Sequence, residues 1–167
     1  EKSSPLLTKD LTQVPLLIKY PNSKFESKDF YCETNTSLYP TIMDLTKIEK
    51  PQHLSGRSVF ESNQNSYALT ESLFRRTAET SIRENDYVYI QKTDFDYMNG
   101  DVNLDNISKE YLFLENDQND NGNYTDLSLK ELEIKNKLKG KIKNHYVNST
   151  KYFDNDHILN FTKNYKE

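Results

Sequence analysis

The segment Asp117-Gln118-Asn119-Asp120-Asn121-Gly122-Asn123-Tyr124-Thr125 is dense in side-chain oxygens. Its spacing copies the first half of a calcium loop. Asp117, Asn119 and Asn121 offer oxygens at alternate positions, Gly122 permits the sharp turn, and Asn123 offers its carbonyl at position seven. A complete loop needs a bidentate carboxylate at position twelve, where this chain has Ser128. A weaker echo, Asp101-Val102-Asn103-Leu104-Asp105, has Asn106 where the glycine belongs. In a chain with 18 Asn such patterns arise by chance, so a solvated turn is the expectation ahead of a metal site.

Other chemistry is sparse. His53, His145 and His157 lie far apart, and none has metal-ligand or H-E-x-x-H spacing. Cys32 stands alone, which rules out a disulfide within the chain, and no His is near it to activate a thiolate. No dinucleotide fingerprint, phosphate loop or nucleophile elbow is present, and four Gly leave little for a phosphate cradle. Nothing in the sequence asks for a cofactor, and the expectation is a non-enzyme. Lys135, Lys137, Lys139, Lys141 and Lys143 alternate with other residues, close to Tyr146. This strip is the one place where phosphates of a nucleic acid would be met, although a solvated helix end is the simpler reading. Sequons at Asn35, Asn106, Asn123, Asn148 and Asn160 matter only on a secretory route.

Composition points to contact surfaces. Twelve Tyr and eight Phe sit in 167 residues, of which only 34% are hydrophobic and 29% are charged. The mean hydropathy is −0.91. A chain this polar builds a small core of its own, yet disordered chains are aromatic-poor. The expectation is that a neighbouring molecule covers many of the rings, a role Tyr suits because its ring is apolar and its hydroxyl stays hydrogen-bonded. A net charge of −4 is no global nucleic-acid footprint. No run approaches the roughly 20 apolar residues of a bilayer span, so no membrane partner is expected. The opening Glu1-Lys2-Ser3-Ser4 has neither an initiator Met nor a signal-peptide shape, and reads as part of a processed or longer chain.

These residues need elements to hold them. Residues 1–12 read as an arm. Residues 13–69 read as an extended, proline-broken interaction region, with Pro15, Pro21, Pro40 and Pro51 disfavouring long helices. Short extended pieces fall at 16–20, 29–32 and 41–43. Residues 70–114 read as a helix plus a strand. Thr70 serves as N-cap of a helix over 70–84, with Leu73, Phe74, Ala78 and Ile82 at helical spacing. Tyr87-Val88-Tyr89-Ile90 begins a strand over 87–92. Tyr111-Leu112-Phe113-Leu114 is apolar but ambiguous in type. Residues 115–127 form the Asn/Asp-rich loop. A helix follows over 128–140, with a Ser128/Glu131 capping box, one face of Leu127, Ile134, Leu138 and Ile142, and Gly140 as its stop. The tail to residue 167 reads as a second arm. The fold class is therefore mixed α+β, with extensive irregular chain, short strands and two helices in a non-compact subunit.

Three pieces of the N-terminal half carry a family resemblance. They are Pro15-Leu16-Leu17-Ile18-Lys19-Tyr20-Pro21, then Thr36-Ser37-Leu38-Tyr39 with Met43-Asp44-Leu45, then Leu73-Phe74-Arg75-Arg76-Thr77. In that order they resemble segments of the namesake subunit of the RNA polymerase II-associated factor complex, a transcription-elongation scaffold. Ala78-Glu79-Thr80-Ser81 lacks the aromatic of that pattern, and residues 85–167 match nothing in it. The resemblance implies a non-enzymatic nuclear subunit whose N-terminal arm embraces other protein subunits.

The residues themselves give the same first expectation: an interaction or scaffold subunit that binds by strand addition or groove insertion. Leu17, Tyr20, Phe30, Tyr31, Tyr39, Phe60 and Phe74 are the candidate anchors, with Arg75 and Arg76 for acidic partners. The alternative is an exported calcium- or ligand-binding module of a low-GC microbe or parasite, built on the 117–125 loop.

Overall fold

A computed structural model describes residues 7–19, 35–51, 54, 56–61, 67–74, 76–96, 101–116 and 127–150. The chain is mixed α+β. Four strands, β1 (Ala68–Phe74), β2 (Thr77–Glu84), β3 (Tyr87–Asp96) and β4 (Asp101–Leu114), form one antiparallel sheet in the order β1-β2-β3-β4. Among the described residues three α-helices accompany it: α1 (Lys9–Thr12), α2 (Leu38–Thr46) and α3 (Leu129–Thr150).

Register explains the core. Leu69 pairs with Ile82, Ile82 with Tyr89 and Tyr89 with Leu112, so one apolar row crosses all four strands. Side chains alternate between faces along each strand, which puts this row on one side of the sheet. Leu138 and Ile142 of α3 close over it, with Ile134 and Tyr146 at the margins. Ile82, Tyr89 and Ile142 are fully buried. On the opposite face Val88, Ile90 and Phe113 are covered by Leu7. Each such side chain contributes about 1.5–3 kcal/mol when fully removed from water.

The helix after the Asn/Asp-rich loop begins as its sequence predicts. The Ser128 N–H donates to Glu131 Oε2 at 2.8 Å, and the Glu131 N–H reaches Ser128 Oγ at 3.3 Å, completing the capping box. Gly140 does not stop it. The helix continues to Thr150 because Ile142 and Tyr146, beyond the glycine, pack on the sheet. That burial outweighs the roughly 1 kcal/mol that Gly costs inside a helix.

The region 70–84 is not a helix but the β1–β2 hairpin. Its apolar residues satisfy a helical period by coincidence. Thr77, Thr80 and Ile82 are β-branched and suit a strand. β2 is buried along almost its whole length, on both faces, which erases the alternation that would have marked it. Its turn was hidden too. Arg76 takes the left-handed conformation, with φ 64°, where Gly or Asn would ordinarily advertise a turn. The piece at 41–43 is helical rather than extended. Pro40 falls in the first turn of α2, where a missing N–H costs no helical hydrogen bond. Tyr111–Leu114 is the end of β4.

A second local unit surrounds α2. Thr41 Oγ1 donates to the Ser37 carbonyl at 2.6 Å and accepts from the Val59 N–H at 3.0 Å. Lys50 bridges Asp44 at 2.8 Å and Glu61 at 2.5 Å. Gly56 sits at φ 85°, where a Cβ would lie 2.3 Å from the Thr36 carbonyl oxygen, so only glycine fits.

Two substitutions in α3 test this packing in opposite directions. Ile142→Ala is expected to lower unfolding free energy by about 2–5 kcal/mol. Gly140→Ala, with nothing within 4 Å of the new Cβ, is expected to raise it by about 1 kcal/mol. Urea titrations of both variants measure the difference.

Candidate functional site

The first candidate surface begins at the chain's N-terminal side. Residues 7–12, part of the arm expected over 1–12, are docked on the sheet. The Leu7 N–H donates to Glu79 Oε1 at 2.8 Å. The Arg83 guanidinium donates to the Leu7 carbonyl at 3.3 Å and to Thr12 Oγ1 at 2.9 Å. Glu79 is buried, and Lys92 Nζ neutralises it at 2.9 Å. Beyond Thr12 the chain to Lys19 enters no regular element, and Leu11, Val14, Leu16 and Leu17 are exposed. Leu17 is 96% exposed. On α2, Pro40, Thr41 and Met43 face inward, whereas Tyr39 and Ile42, three residues apart on one helix face, remain in solvent.

The predicted anchors divide accordingly. Leu17, Tyr39 and Phe60 are exposed. Phe74 ends β1 and pairs with Thr77, and Arg76 lies exposed in the hairpin turn, its carbonyl accepting from the Phe95 N–H at 2.9 Å. Tyr20, Phe30, Tyr31 and Arg75, and the candidate metal ligands Asp117, Asn119, Asn121 and Asn123, fall outside the described residues. Not every ring waits for a neighbour, because Tyr89 and Phe113 are buried within this chain. Sequence reading missed Val14 and Ile42, which carry no aromatic signal.

The weaker calcium echo is strand. β4 is bulged there, running from Val102 to Ile107 against only Phe95 to Thr93 of β3. Asn103 Oδ1 instead accepts from the N–H groups of Asp105 and Asn106, each at 3.2 Å. Among the described residues no group of three His, Cys, Asp or Glu side chains is placed to hold a metal.

The second candidate is the lysine strip. An α-helix turns residues four apart onto one side. Lys135, Lys139 and Lys143 therefore flank one edge of the apolar stripe, and Lys137 and Lys141 flank the other. Each edge meets a carboxylate of the sheet. Glu110 of β4 bonds Lys135 at 2.5 Å and Lys139 at 2.9 Å, and accepts from the Tyr89 hydroxyl at 2.8 Å. Glu84 of β2 bonds Lys137 at 2.7 Å and Lys141. Lys141 also lies 4.8 Å from the centroid of the Tyr67 ring. At the far end of the helix, Tyr146 donates to Glu71 and lies 2.8 Å from Thr80 Oγ1, and His145 Nε2 is 3.6 Å from Glu71 Oε2. Four of the five strip lysines thus hydrogen-bond carboxylates of their own sheet, and Lys143 pairs more loosely with Asp105 of β4 at 3.7 Å, an arrangement that neither free-standing phosphate contacts nor simple solvation describes.

Electrostatics follow the contacts. Burial opposes ionisation of Glu110, but the hydrogen bonds from Lys135, Lys139 and Tyr89 overcome it and hold the carboxyl at about 2. Burial likewise opposes ionisation of Glu84, and Lys137 and Lys141 still bring it below the usual carboxylate range. The hydrogen bond to His145 lowers Glu71. Burial, reinforced by Glu110, pushes the Tyr89 hydroxyl far above its ordinary value. A carboxylate held this low is a poor general acid or base at neutral pH; the network is built to clamp. Between β4 and α3 it leaves a cleft of about 350 Å³, lined by Gln91, Leu104, Asp105, Ile107, Glu110, Lys139 and Lys143.

No protein-family model matches this chain, and no curated protein matches it.

The clamp predicts an acid limb of known sign. A glutamate ordinarily titrates near 4.5, and folded Glu110 near 2, so the native state binds its proton less readily than the unfolded chain does. Its contribution is complete above about pH 4.5 and is lost as pH falls through about 2. Glu110→Gln is expected to lower stability at pH 7 and to flatten this limb, as read from urea midpoints across the acid range.

Proposed function

We infer that this chain is a non-catalytic interaction subunit of a multiprotein assembly, and that the stretch from Leu11 to Lys19, together with the outer face of α2, meets the partner. One contrast carries the reading. Leu7 is pinned to the sheet through Glu79 and Arg83, while Leu16 and Leu17, ten residues on, are left in water. Anchoring the root of an extended segment reduces the ordering cost of docking its tip. Two adjacent leucines outside any regular element suit strand addition or groove insertion. Tyr39 and Ile42 offer further exposed apolar side chains on α2.

The same Leu16-Leu17 pair lies in the segment that resembles the elongation-complex subunit. Nuclear transcription-elongation machinery is therefore the first assembly to test.

The experiment is affinity purification of the full chain from its native source, wild type against Leu16→Ser/Leu17→Ser, with the co-purifying chains identified. Neither leucine belongs to either core cluster, so the circular dichroism spectrum and urea midpoint are expected to stay unchanged. Each leucine is worth about 1.5–3 kcal/mol when buried, so recovery of the principal partner is expected to fall by at least about tenfold. Undiminished recovery of every partner would end this reading.

A further inference from the structure

Independently of the partner surface, we propose that the cleft between β4 and the C-terminal half of α3 binds a small aliphatic monocarboxylate. Its carboxylate would lie between Lys139 and Lys143, and its hydrocarbon against Leu104 and Ile107. The cleft, at about 350 Å³, is within the range of small-molecule sites.

Three features of the lining support this. The first is an ammonium with spare capacity. Lys143 lies 3.7 Å from Asp105, beyond hydrogen-bond distance, and Asp105 itself is almost wholly solvated. Lys139 spends one hydrogen bond on Glu110 at 2.9 Å, and an ammonium has three to give. The second is the charge count. Lys135, Lys139 and Lys143 face Glu110 and Asp105, three positive groups against two negative ones. One further negative charge balances the set. Glu110 is saturated by two ammoniums and the Tyr89 hydroxyl, so it is not an open acceptor for a cationic ligand.

The third feature is the mixed wall. Gln91, only 2% exposed, lines the cleft beside Leu104 and Ile107. A carboxylate supplies two oxygens for Lys139 and Lys143, and charge-assisted bonds of this kind are the stronger class. Leu104 and Ile107 make part of the wall apolar, which bare inorganic phosphate would leave unused.

An NMR titration of the ¹⁵N-labelled full chain tests this, with hexanoate, hexylammonium and inorganic phosphate as parallel probes. Hexanoate is expected to shift the Gln91 side-chain amide pair saturably, with a Kd in the millimolar range suited to so small a ligand. Hexylammonium is expected to leave it unmoved, and phosphate to bind more weakly. Lys143→Gln changes a side chain that is 63% exposed, so the fold is retained, and the hexanoate Kd is expected to rise by about tenfold with the loss of one charged contact. The proposal is overturned if hexanoate gives no saturable shift at Gln91, if hexylammonium acts equally, or if Lys143→Gln leaves the Kd unchanged. Phosphate binding as tight as hexanoate overturns it as well, since that shows an adventitious anion site only.

Discussion

The seating of α3 on the sheet is the contact on which the rest depends. Only a narrow stripe of that helix is apolar, and Leu138 and Ile142 deliver it to the Ile82–Tyr89–Leu112 row. A stripe so thin tolerates little rotation of the helix about its axis. Lysines on both flanks limit that rotation, one set held by Glu84 and the other by Glu110. Because the two carboxylates stand on β2 and β4, the helix is gripped from both sides of the central strand. Ion pairs at partly buried sites are screened less by salt than exposed ones, and Glu84 and Glu110 both lie partly or largely out of water.

The opposite face of the sheet solves the same problem by different means. Val88, Ile90 and Phe113 need a cover, and Leu7 provides part of it. Glu79, buried on that face, binds both Lys92 and the Leu7 N–H. A charge in that position is expensive unless it is paired, and here its pairing fixes where the N-terminal segment enters. The polar composition of the chain is thus partly structural. Charged side chains on both faces hold elements in place that a richer apolar core would otherwise hold.

Legibility varied with the range of the determining contact. The start of α3 was readable because the Ser128/Glu131 cap is made within one turn. β3 was readable from Tyr87-Val88-Tyr89-Ile90, whose side chains suit a strand wherever it pairs. The β1–β2 hairpin is not legible locally because the contacts that fix it are distant in sequence. Glu79 looks like a helix-surface residue until Lys92 is placed beside it. Arg76 gives no turn signal, since a non-glycine residue with positive φ is imposed by the surrounding strands at a cost of roughly 1–2 kcal/mol. The lysine strip is plain in the sequence but its role is not, because nothing near residues 135–143 in sequence names Glu84 or Glu110 as partners.

What the residues reveal without the fold is therefore local. They set the mixed α+β class, the capped start of α3 with its apolar face, the strand at 87–90, and the supply of leucines and aromatics that remain at the surface. Tertiary structure decided which charges are buried, where the hairpin turns, how far α3 runs past Gly140, and that the lysines face inward to the sheet. The physical reason is that caps, periodicities and β-branching act over a few residues, whereas burial and ion pairing are set by groups tens of residues apart that only the folded sheet brings together.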